Sequence, residues 1–222
     1  MSKPSELAAY GALTTTAVVW GGSIVGQKFA LGPFSAVEVS VLRGLGALAI
    51  LIPLWWWQEG GSVKFSSKDI WTFFFLGLGV LGNHLLTLFG LRHIGAAAAG
   101  VIIGSSPVIT ALLSSVIIRD VPFRAVWAGC AISFAGVALV SAGGDSGMGD
   151  NPWLGGILVV LGLVSWALYT IGGRRTMERF SPLTVNWTTL GLSILLQIPL
   201  LWTDQKMAVA GVASVPMSGW LA

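Results

Sequence analysis

Val164-Ser165-Trp166-Ala167-Leu168-Tyr169-Thr170-Ile171-Gly172, followed by Phe180-Ser181, restates an earlier part of the same chain. The earlier part is Val18-Val19-Trp20-Gly21-Gly22-Ser23-Ile24-Val25-Gly26, followed by Phe34-Ser35, at a constant offset of 146 and without a gap. The same frame sets Val39 on Val185, Pro53 on Pro199 and Trp56 on Trp202, with Ile50 on Leu196 and Ile52 on Ile198 between them. Aliphatic positions of two apolar stretches agree by chance. Trp, Pro and Phe-Ser agreeing in one frame point instead to an internal duplication.

The chain around these copies is 222 residues long, 55% hydrophobic and only 9% charged, with 30 glycines. A soluble domain carries about 25% charged residues, so this chain cannot cover a water-facing surface. A soluble enzyme is excluded. A nucleic-acid-binding domain is excluded too, because the net charge of +3 comes from basic residues scattered between apolar runs. Cys130 is the single cysteine, which rules out internal disulfides and a cysteine-based metal site.

Crossing a hydrocarbon core about 30 Å thick takes about twenty apolar residues in a helix. Seven such stretches are present: Leu7–Gln27, Phe34–Trp57, Ile70–Gly90, Ala96–Ile118, Phe123–Ser141, Trp153–Gly173 and Leu183–Trp202. Short breaks such as Gly32-Pro33, Gly60-Gly61-Ser62, Asp120-Val121-Pro122 and Gly143-Gly144-Asp145 separate them. Backbone polar groups in lipid must be satisfied within their own segment, so the spans are helices. The first is not a cleavable signal, since it lacks a basic start and a polytopic pattern follows. The predicted fold is an all-α, polytopic membrane protein.

If the spans alternate, Lys3, Lys64, Lys68, Arg119, Arg124, Arg174, Arg175 and Arg179 share one side, and Lys28, Arg92 and Lys206 the other. The richer side is expected in the cytoplasm, with the N-terminus. Trp55, Trp56 and Trp57 end the second span there, where an aromatic belt belongs.

Five spans separate the start of one copy from the start of the next, and an odd number brings the second copy in from the opposite face. The expectation is an inverted repeat, the architecture of secondary transporters, with a substrate site near the midplane. The first five-helix copy is drawn at residues 1–145 and an incomplete second one at 146–222, where Met217–Ala222 reads as the opening of an eighth helix. Two full copies would make ten helices, so three C-terminal helices are expected beyond those present here.

The residues also resemble a known family. His93-Ile94-Gly95-Ala96-Ala97-Ala98-Ala99-Gly100 through Ser106-Pro107-Val108-Ile109-Thr110-Ala111 is similar to the fourth helix of the drug/metabolite transporter superfamily, EamA type. Trp20-Gly21, Arg43, Gly136-Val137-Ala138-Leu139-Val140 and Ser165-Trp166 fit the same pattern in order. The resemblance implies ten helices in two inverted five-helix repeats, placed in the bacterial inner membrane. It also implies export of amino acids or related metabolites. The chain departs from the family in carrying Arg119-Asp120 where a glutamate often follows the fourth helix.

Polar side chains inside a membrane are costly and mark either function or bundle packing. Thr16, Trp20, Ser23 and Gln27 recur on one face of the first span, and Trp166, Tyr169 and Gly173 on the matching face of the sixth. Trp20 and Trp166, equivalent in the two copies, are expected on opposing walls of a central cavity, unless they pack against neighbouring helices. Asn83 and His84 lie near mid-membrane in the third span, as substrate ligands or as interhelical hydrogen-bond partners. Gly100 and Gly104 in the fourth are expected to let another backbone come close. Pro107 removes a backbone N–H and should kink that helix near Ser105 and Ser106, exposing candidate ligand groups.

Arg43 is about nine residues into the second span, roughly 13 Å along it, and Glu38, five positions away, is poorly placed to pair with it. A structural or gating role is expected for Arg43 ahead of direct binding of a substrate carboxylate. No catalytic residue, metal site or cofactor is expected. The expected partners are a small-molecule substrate and the lipid bilayer, with no nucleic acid. The predicted function is outward transport of a small organic solute, first of all an amino acid, with aromatic or bulky apolar ones a guess from the indoles. A gated facilitator is the rival, and an intramembrane lipid-acting enzyme a weaker one.

Overall fold

The computed structural model describes residues 6–119 and 151–203 and, between them, residues 124, 126–129, 131, 132 and 135. The described residues form seven helices and no strand: α1 (Glu6–Ala30), α2 (Ala36–Glu59), α3 (Ser67–His93), α4 (Ala96–Gly104), α5 (Ser106–Ile117), α6 (Pro152–Thr176) and α7 (Pro182–Thr203). The described residues from 124 to 135 are helical as well. They sit on the predicted fifth span, the rest of which lies outside the described residues, as does Met217–Ala222. Six predicted spans thus coincide with observed helices to within a turn, the fourth being shared by α4 and α5.

Among the described residues five stretches are both long and apolar enough to cross a membrane: Ala36–Glu59, Ser67–His93, Ala96–Ile117, Pro152–Thr176 and Pro182–Trp202. The helix α1 matches them in length, with 25 residues, and carries the polar run Thr14-Thr15-Thr16. The three threonine hydroxyls donate to carbonyls one turn back, those of Tyr10, Gly11 and Ala12, at 2.8–2.9 Å. That removes their unmet polarity on a surface open to lipid.

Helix starts are written locally. Ser35 accepts from the Glu38 N–H while the Glu38 carboxylate accepts from the Ser35 N–H at 2.6 Å, a capping box that opens α2. Ser66 and Asp69 do the same for α3. Ser181, offset by 146 from Ser35, accepts from the Thr184 N–H at 3.0 Å to open α7. At the far end of α2, Gly60 takes the left-handed conformation, φ 71°, which a side chain would resist. Ser105 separates α4 from α5 two residues before Pro107, where the missing N–H was expected to interrupt the helix.

The buried centre is α3, which packs most extensively along α6 and also against α7 and α2. The α3–α6 contact is antiparallel. A Cβ on Gly90 would fall 2.8 Å from the Gly155 carbonyl oxygen; the Asn83 amide donates to the Gly162 oxygen at 3.1 Å; a Cβ on Gly79 would lie 3.0 Å from Tyr169 Cβ. Gly79, Asn83 and Gly90 thus face Tyr169, Gly162 and Gly155, in rising order on α3 and falling order on α6, and the small residues let the two backbones approach. At Gly100 nothing described comes within 4 Å of a built Cβ, whereas the α3–α6 seam holds approaches of 3 Å or less.

The direction of the other helices follows from their contacts. Gly44 in α2 meets Ile194 in α7, while Trp55 donates to Thr184 Oγ1 at 3.0 Å, so α2 and α7 are antiparallel. The Lys28 ammonium reaches the Leu91 and Ile94 carbonyls at 2.5 and 2.9 Å, which puts the ends of α1 and α3 on one side. Since α3 opposes α6, α1 opposes α6 too. Both pairs of helices related by the sequence offset therefore run in opposite directions.

Candidate functional site

A cleft of about 640 Å³ opens between α1 and α2, in the half of the bundle nearest their connecting loop. Its wall is apolar at Val19, Ala30, Phe34 and Leu42, and polar at Ser23, Gln27 and Arg43. Helix periodicity explains the first two polar residues: four apart on α1, they share a face. The Gln27 amide donates to both the Ser23 carbonyl oxygen and Ser23 Oγ, each at 3.0 Å, which locks the pair. Arg43 reaches the cleft from α2, and its Nη2 stands 2.9 Å from His84 Nε2 on α3. A guanidinium only donates, so Nε2 accepts and the imidazole proton is assigned to Nδ1. His84 Nδ1 itself is buried without a partner among the described residues.

Beside the cleft, at mid-helix, Trp20 and Trp166 meet edge to face with centroids 6.4 Å apart. Tyr169 lies 5.1 Å beyond Trp166, and its hydroxyl donates to Asn186 Oδ1 at 3.4 Å. Trp20 is 61% exposed, so an indole face stays open, whereas Tyr169 is buried. The two indoles touch each other; they do not stand apart across a void.

The structure therefore brings together Ser23, Gln27, Arg43 and His84, and next to them Trp20, Trp166 and Tyr169. Asn83 is engaged with the Gly162 carbonyl in the α3–α6 seam. Ser105 and Ser106 stand at the α4–α5 break, outside the cleft, and the Ser105 hydroxyl donates to the Ile102 oxygen at 2.6 Å. Gly104 ends α4 and Pro107 lies in the first turn of α5.

Sequence reasoning missed the bonds at the opposite end of the bundle. Arg179 grips Asp69 through two N–H groups, at 2.6 and 3.2 Å, with Asp69 buried and Arg179 largely exposed. The Glu59 carboxylate accepts from the hydroxyls of Ser181 and, at 2.8 Å, Thr184. These bonds tie the α2–α3 loop to the α6–α7 loop. Ser66-x-x-Asp69 is legible as a capping signal, but its partner 110 positions away is not. Lys28, likewise, reads from sequence only as a topology marker.

A bundle of apolar, membrane-length helices with a polar cleft cut into one half defines a polytopic membrane protein. The sequence pattern of the EamA-like transporter family matches residues 7–142, and the chain belongs to that family. Among curated relatives it is 28% identical over 198 residues to the uncharacterized transporter YyaM of Bacillus subtilis, covering 87% of this chain and 64% of that protein. It is 24% identical over 219 residues to the uncharacterized inner membrane transporter YedA of Escherichia coli K12, covering 97% and 68%. An uncharacterized transporter of Archaeoglobus fulgidus is 27% identical over 192 residues, covering 85% and 64%. The chain thus spans about two-thirds of the length of these relatives.

Proposed function

We propose that the chain serves a secondary transporter that carries small organic solutes, amino acids or related metabolites foremost, out across the bacterial inner membrane. Two inverted copies, residues 1–145 and 146 onward, rock around a midplane site by alternating access. The observation that carries this reading is the opposed direction of both offset-related helix pairs, α1 with α6 and α2 with α7, as a two-fold axis in the membrane plane requires. Membership of the EamA-like family supports it.

In this reading Trp20, Trp166 and Tyr169 form the aromatic end of the site, and Ser23, Gln27 and His84 its polar wall. Asn83, Ser105 and Ser106 come into reach as the helices rock, with Gly100, Gly104 and Pro107 allowing α4 and α5 to move. Arg43 sits where the cleft meets α3. With the N-terminus in the cytoplasm, the cleft faces outward, and the bonds of Asp69 with Arg179 and of Glu59 with Ser181 and Thr184 close the inner end.

Proteoliposomes containing the protein and loaded with a mixture of labelled amino acids test the proposal. Outward movement against a gradient, driven by an imposed ion gradient, is expected. Movement only down a gradient would instead indicate a facilitator. Failure to move any amino acid or related metabolite would reject the assignment. Cysteines placed at Lys64 and at Gly32 should react with impermeant reagents from the inner and outer face, respectively.

A further inference from the structure

We propose that Arg43, held by His84, is a receptor for one carboxylate group, so that the solute entering the α1–α2 cleft is a monocarboxylate or a zwitterion; this rests on the transport reading above. Arg43 is seven residues past the start of α2, about 10 Å along the helix. A guanidinium does not lose its proton in proteins, and a fixed charge at that depth needs an acid, a carbonyl cage or water. Among the described residues no carboxylate pairs with Arg43. Glu38, the nearest acid on its own helix, is held by the Ser35 N–H in the capping box. Among the described residues the hydrogen-bond partner of the guanidinium is His84, which accepts a single N–H and brings no negative charge.

The remaining N–H groups of Arg43 adjoin a cleft whose other polar side chains, among the described residues, are Ser23 and Gln27. Ser23 Oγ accepts from Gln27, which leaves its own O–H to donate. A planar guanidinium and a hydroxyl are donors matched to the two oxygens of a carboxylate. The charge count argues for one carboxylate and against a phosphate dianion. Lys28, the other cation at this end of α1, is turned onto the Leu91 and Ile94 carbonyls, where the C-terminal end of α3 offsets its charge. Among the described residues that line the cleft, one positive charge, that of Arg43, remains for the solute to neutralise.

The chain purified into nanodiscs is tested by equilibrium binding of the twenty L-amino acids and of their C-terminal amides, which keep the ammonium and side chain and lose the carboxylate charge. For each amino acid that binds, the amide is expected to bind at least about tenfold more weakly. R43Q should bring the two within about threefold of each other, while R43K keeps part of the preference. H84A, which frees the guanidinium to move, should weaken the acid more than the amide.

Acid and amide binding equally to the unaltered protein would overturn this proposal and leave the transport reading standing. So would an undiminished preference in R43Q, or a phosphomonoester displacing the acid at lower concentration. If neither acids nor amides bind, the amino-acid part of the transport reading falls and this proposal with it. The acid–amide comparison needs no variant, so a misfolded R43Q cannot obscure it.

Discussion

Gly90→Ala is the sharpest probe of how α3 and α6 are joined. The new Cβ would stand 2.6 Å from Val159 Cγ2, 2.8 Å from the Gly155 oxygen and 3.1 Å from the Val159 nitrogen. Two of those three atoms are backbone, so no rotamer change relieves the overlap and α6 must shift as a body. Overpacking of this kind costs about 1–3 kcal/mol. Against it stands the gain of about 1 kcal/mol when alanine replaces glycine inside a helix.

Gly46→Ala supplies the control, because a Cβ there meets nothing within 4 Å and the residue is exposed. The propensity gain is common to both variants and cancels in the comparison. Gly90→Ala should therefore be less stable than Gly46→Ala by about 1–3 kcal/mol, or about 5- to 150-fold in the folding equilibrium. Titration with sodium dodecyl sulfate in mixed micelles, followed by far-ultraviolet circular dichroism, measures that difference. Equal midpoints and slopes for the two variants would refute the reasoning, since they would mean that α3 and α6 do not meet backbone to backbone.

Three further outcomes follow from the contacts. Glu59→Gln removes the charge that accepts from Ser181 and Thr184, and should cost about 1–3 kcal/mol in the same titration; in Thr184→Ala the further cost of Glu59→Gln should shrink. Asp69 both caps α3 and binds Arg179, so Asp69→Asn should lower the midpoint more than Arg179→Gln, and equal effects would show that the cap contributes nothing. With Cys130→Ser as background, the pair Leu48→Cys and Gly191→Cys should be joined by a short bis-thiol reagent, because a Cβ on Gly191 lies 3.9 Å from Leu48. The pair Leu48→Cys and Thr203→Cys, with Thr203 about 18 Å further along α7, should not be joined.

The helices were legible because each is settled within its own segment. In lipid every N–H must find a carbonyl nearby, so an apolar run of about twenty residues admits one answer, and its ends are marked by neighbours such as Ser35 with Glu38 and Ser66 with Asp69. The helix break before Pro107 was equally local, since it needs only a missing donor. The repeat frame picked out Trp20 and Trp166 as equivalents, and they do meet. Whether they meet through an open cavity or by direct ring contact depends on the spacing of two helices, and one segment cannot encode that.

What the tertiary structure alone decided is which distant groups share a place. Arg43 read in isolation has an unhelpful acid five positions away; folded, it lies against His84, 41 residues on, and beside Ser23 and Gln27 of another helix. Asn83 read from sequence was either a ligand or an interhelical hydrogen-bond partner, because an amide in mid-membrane needs a partner. The fold supplied that partner as the Gly162 carbonyl, exposed by a glycine with no side chain to cover it. The sequence thus determined a set of membrane helices and their caps, since these rest on backbone hydrogen bonding and hydrophobic length within about one turn or one span. The polar cleft and the bonds that close the opposite end arise from helix-to-helix register, where contacts over 41 to 125 positions are set by packing shape and not by any local pattern.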